Sequence, residues 1–172
     1  MTTFLLEGIA VSLLMVPAFG AERRSPITGP DRRTAQADAC ALLTKAEAEA
    51  ILGQPIGAPA KGSSGECHYG EEGGSAEIIV YPMMLGFKSK EEFHAFEVED
   101  TEAMNARTKE SLKNTGVAVK ETAVEPVPQV GDAAYFVDPS LVVLSHGRVL
   151  NITAADRQQA LAVAGKVVPR FK

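Results

Sequence analysis

Tryptophan is absent from the 172 residues, and tyrosine (three) and phenylalanine (seven) are sparse. So few rings leave little material for the flat platforms that hold sugars or stack nucleobases. Basic residues are in deficit too: 17 Lys and Arg stand against 22 Asp and Glu, a net charge of −5. Binding a phosphate backbone needs a cationic face, which argues against nucleic acid as a partner. Several chemical signatures are also missing. There is no GxSxG, HExxH, CxxC or GxxxxGK[ST] string. Their absence weighs against a nucleophile elbow, a zincin helix, a thioredoxin-type pair and a phosphate loop. Cysteine occurs only twice, at Cys40 and Cys67.

The apolar material begins with a leader. Residues 4–19 read FLLEGIAVSLLMVPAF, and their uninterrupted part, Ile9 to Val16, falls short of the roughly 20 residues a membrane span needs. It matches the apolar core of a secretion signal. Pro17 would break the helix, and Ala18-Phe19-Gly20 places small residues where a signal peptidase reads, so residues 1–20 are expected to be a signal peptide. The stretch lacks Lys and Arg ahead of its core and carries Glu7; an uncleaved anchor or a misassigned start codon would account for this. Contact with a membrane is expected only if the leader stays uncleaved. Residues 21–37 hold two Arg pairs, two prolines and no apolar period, the composition of a flexible linker. Residues 38–172 then have the length of one domain.

Both cysteines follow the leader, so an exported chain would pair them, and only one pairing exists. Closing that loop is worth about 3–4 kcal/mol on a chain-entropy account. Thr44-Lys45-Ala46-Glu47 is a capping box ahead of KAEAEAIL, with Gly53 as the stop. Glu66 to Tyr69 and AEIIVY (Ala76 to Tyr81) read as strands, and Pro82 to Lys88 as irregular chain. Ser89-Lys90-Glu91-Glu92 opens a longer helix. Val117 to Val124, Ala133 to Val137 and Leu141 to Ser145 follow as strands, with His146-Gly147 as a two-residue hairpin turn before RVLNIT. Asp156 caps a last helix that ends at Pro169. Runs of hairpin-linked strands separated by helices imply an α+β fold. The expected domain is an antiparallel sheet of about six strands with three helices packed on it and one disulfide.

The run DACALLTKAEAEAILGQP, a Gly-rich loop and CHYG resemble small exported bacterial domains of uncharacterised function, loosely the DUF3558-type proteins. Val130-Gly131-Asp132-Ala133 and LVVLSHGRVLNI are similar to later segments of such chains. The resemblance spans about Asp38 to Arg170. It implies an extracytoplasmic α+β domain and brings no catalytic residue with it. Many of these relatives are lipoproteins, and the lipobox is missing here.

Candidate chemistry is thin. His68, His94 and His146 are scattered over an expected strand, helix and turn. Glu91, His94 and Glu97 recur every three residues, which would bring them near one helix face, but the acidic run reads better as a solvated face than as a metal site. No cofactor, metal site or catalytic residue is expected. The chain reads as a non-catalytic, periplasmic or secreted module that binds a protein or envelope component, with Met83, Met84 and Phe87 as an adaptable apolar contact. The alternative is a carrier for a small apolar ligand, held between the sheet and the long helix by residues such as Tyr81, Phe93, Phe96 and Tyr135.

Overall fold

A computed structural model describes residues 37–70 and 76–172. The expected signal peptide and nearly all of the expected linker lie outside the described residues. Ala37, at the linker's end, already packs partly buried against the core. The fold is a seven-stranded, wholly antiparallel sheet with helices on both faces. The strands are β1 (Ala60–Lys61), β2 (Cys67–Tyr69), β3 (Ile78–Gly86), β4 (Val124–Pro126), β5 (Ala133–Val137), β6 (Ser140–Ser145) and β7 (Arg148–Thr153). Their order across the sheet is β1-β2-β3-β7-β6-β5-β4. The helices are α1 (Ala39–Leu42), α2 (Lys45–Leu52), α3 (Lys90–Leu112) and α4 (Arg157–Val167), the last followed by a 3-10 turn, Val168–Arg170.

Strand alternation sorts the side chains onto two faces. One face presents Cys67, Tyr69, Ile78, Val80, Phe136, Leu141, Val143, Leu150 and Ile152 to α1, α2 and α4. The main core lies there, completed by Val163, Val167 and Phe171. The other face presents Val142, Leu144 and Val149, which pack with Phe87 and with Phe93 of α3. At about 1.5 Å per residue, the 23 residues of α3 run roughly 35 Å along this second face.

The local signals explain most boundaries. Thr44 accepts from the Glu47 N–H while Glu47 accepts from the Thr44 N–H, and Gly53 ends α2 in the left-handed region at φ 69°. The first expected helix is thus found as α2, and a further short helix, α1, precedes it, set apart because Leu43 and Thr44 are extended. Ser89 caps α3 by accepting from the Glu92 N–H, while the Glu92 carboxylate accepts from Lys88 instead of from the cap residue. His146 and Gly147 both take positive φ, 53° and 74°, as a tight hairpin turn between β6 and β7 requires.

Two expectations are corrected. Pro82 to Lys88 is not irregular: β3 continues to Gly86, with an irregularity in its pairing to β7 between Pro82 and Gly86. A proline cannot donate to the ladder, and a bulge accommodates it. Val117 to Val124 is not a strand, apart from Val124, where β4 begins. The Asn105 side chain of α3 takes both backbone groups of Thr122, donating to its C=O at 2.8 Å and accepting from its N–H at 2.9 Å. The segment is thereby bonded to a helix instead of to a neighbouring strand.

Cys40 and Cys67 form a disulfide, with Cα atoms 5.1 Å apart, joining α1 to β2. An intramolecular disulfide of this kind suggests an oxidising, extracytoplasmic environment. No helix among the described residues is long and apolar enough to cross a membrane.

Candidate functional site

Two rows of α3 side chains, each at intervals of four, meet the second sheet face. Phe93, Glu97 and Thr101 form the buried row. Phe96, Asp100 and Met104 form the neighbouring row and, together with Glu97, roof a cleft of about 270 Å³. Its floor is Met83 of β3, Asn151 of β7, Ser140 and Val142 of β6 and Val137 of β5, with Asp138 and Pro139 at one side. The size falls just below the usual range of about 300–1,000 Å³ for small-molecule sites, which suits a small ligand. The walls combine thioether, phenyl and isopropyl groups with a few polar atoms. The Ser140 and Thr153 hydroxyls lie 2.9 Å apart, and Thr153 donates weakly to the Asn151 side-chain carbonyl at 3.4 Å.

Glu97 is the unusual member. It is only 8% exposed. Among the described residues its carboxylate has neither a hydrogen bond nor an ion pair. Desolvation, with the nearby Asp100 charge adding to it, pushes its carboxyl up from 4.5 to about 7. A poorly solvated carboxylate beside a like charge favours its neutral form in just this way.

The cleft gathers only part of the expected ligand or partner surface. Met83 and Phe96 line it. Phe93 is fully buried and Phe87 nearly so, with their rings 5.3 Å apart in the second core. Tyr135 lies against Phe93 and stacks on His94 at 5.0 Å. Tyr81 stands beside Asn151 in register but does not line the cleft. Met84, 53% exposed, is the outward neighbour of Met83. Glu97, Asp100 and Met104 were missed as cleft residues. The signal for them was spacing: Glu97 lies four residues after Phe93 and four before Thr101.

Two further clusters bear on chemistry. His68 Nδ1 sits 2.7 Å from Glu77, and its Nε2 lies 3.5 Å from Glu66. Hydrogen bonding to Glu77 is the chief cause holding the imidazole above its ordinary range, ahead of the opposing desolvation. With a carboxylate at each nitrogen, this ring has no free lone pair with which to act as a base. The Ser145 hydroxyl lies 3.0 Å from His146 Nδ1. Ser145 is buried, however, and Asp132 accepts from the backbone N–H of His146, not from its ring. Among the described residues this pair therefore lacks the orienting carboxylate, and it lacks the open nucleophile, of a hydrolytic triad. No group of three or more His, Cys, Asp or Glu able to hold a metal ion occurs among the described residues. No protein-family model, curated protein or solved structure matches the chain.

Proposed function

We propose that the chain is an exported, non-catalytic binding domain of the periplasm or extracellular space, and that the cleft beneath α3 holds a small ligand. The observation that carries this reading is the concave, mostly apolar space between helix and sheet, with a few polar groups converging on it. Burial of Phe87 and Phe93 speaks against a broad apolar docking patch. Of the exposed large apolar residues, Phe96 and Met104 belong to the cleft row of α3, while Met84, Val117 and Leu161 stand on three separate segments, and scattered singles are ordinary for a folded surface. The engaged nitrogens of His68 and the buried hydroxyl of Ser145 support the non-catalytic part of the reading.

The test is a two-dimensional NMR screen of the oxidised protein against mixtures of small ring-bearing fragments. Binding should shift the amides of Phe96, Met104, Val142 and Asn151 together. Shifts confined to the Met84 strand edge, or no response to any fragment, would overturn the assignment of the cleft.

A further inference from the structure

Among the described residues, the charges around the cleft all have one sign. Its lining there includes Glu97, Asp100 and Asp138, and no Lys, Arg or His. A group of acids alone specifies nothing, but Glu97 adds an independent observation: a glutamate only 8% exposed, with no hydrogen bond or counter-charge among the described residues, lines the space. Removing a charge from water without a partner costs several kcal/mol, roughly, and proteins ordinarily avoid it. A partner arriving from outside would relieve the cost. That partner must be cationic. It must also carry apolar surface, because Met83, Phe96, Met104, Val137 and Val142 make up most of the walls. A hydrated metal ion meets only the first requirement. The Phe96 ring at the cleft offers a cation a second favourable surface.

We propose that the cleft beneath α3 receives a small organic cation, an ammonium group on an apolar body, with the charge seated at Glu97 and Asp100. The inference rests on the reading of the cleft as a ligand site. Glu97 is faced by Asp100 on its own helix, by Asp138 in the β5–β6 turn, and by Tyr135 on β5, whose hydroxyl is itself raised by burial and by the charges of Glu91 and Glu97. The lining residues of β3, β6 and β7, namely Met83, Ser140, Val142 and Asn151, bring no ionisable group. With its carboxyl at about 7, Glu97 must lose a proton before it can pair with the ligand. Binding should therefore strengthen as pH rises toward 7 and level off above it.

The experiment is calorimetric and NMR titration of the oxidised full chain with benzylammonium, benzyl alcohol, benzoate and, separately, calcium ion, from pH 5.5 to pH 8.5. Benzylammonium should bind at least about tenfold more tightly than the alcohol, and benzoate should not bind. The benzylammonium affinity should rise by up to about tenfold per pH unit below the plateau. Glu97→Gln should reduce the ammonium to the level of the alcohol and flatten the pH profile, while leaving the NMR spectrum otherwise folded. Equal binding of ammonium and alcohol in the cleft would overturn the cation assignment and leave the ligand site standing. Silence from all three organic probes would sink the ligand site together with it. Calcium displacing benzylammonium would point to a metal site and overturn the proposal.

Discussion

Tyr69 shows how one polar atom can organise a buried junction. Its side chain is fully buried on β2, and its hydroxyl donates to the Leu43 carbonyl at 2.7 Å, where the chain passes from α1 to α2. Burial pushes the phenol up to about 12, so it is a donor at every physiological pH. Tyr69→Phe should lower stability by about 1–2 kcal/mol, since it strands the Leu43 carbonyl without adding volume; urea unfolding at neutral pH measures it. Such residues were legible as strand positions but not as ties, because the partner lies 26 residues away. Glu97 was misread for a different reason. A glutamate in an acidic stretch reads as solvated, and only the packing of Phe93 one turn earlier turns it inward.

Between elements, the most specific polar link joins the C-terminal turn to α2. Arg170 donates to both oxygens of Glu47, at 2.7 and 2.8 Å, and to the Leu42 carbonyl at 2.9 Å. The Arg170 hydrogen bond is the chief cause holding the Glu47 carboxyl down at about 2, helped by the Thr44 bonds. A depressed carboxyl contributes stability that is present above its unfolded value of 4.5 and lost as pH falls toward 2. Both partners are partly exposed, so solvent screening limits the gain. Arg170→Ala should lower stability modestly but measurably at pH 7. The difference from the parent should narrow as the pH of the unfolding titration is lowered through that window. Helix ends and the His146-Gly147 hairpin were legible because their signals are local: a capping hydroxyl, a left-handed glycine, a two-residue turn. The course of residues 117–123 was not, because its partner, Asn105, belongs to a helix that precedes it. The strand beyond Pro82 was hidden by a residue that ordinarily ends pairing.

For the whole molecule, the covalent constraint matters most. The disulfide spans 27 positions and ties the first helix to the sheet. The chain-entropy account gives it about 3–4 kcal/mol. The double variant Cys40→Ala/Cys67→Ala should therefore melt roughly 10 °C lower in a thermal scan. Equal melting of the parent protein with and without reductant would refute that contribution. The α+β class and the single crosslink were legible in the sequence. The distribution of helices over both sheet faces was not, since it depends on which parity of each strand meets which helix. The sheet also narrows toward its borders. Its flanking strands have only two residues in β1 and three in β4, the latter ending on Pro126. Short flanks of this kind give other copies almost no template for intermolecular strand addition. Among the described residues, the outline of the sheet thus limits strand addition at its two borders, an asset wherever proteins must persist without ATP-driven chaperones.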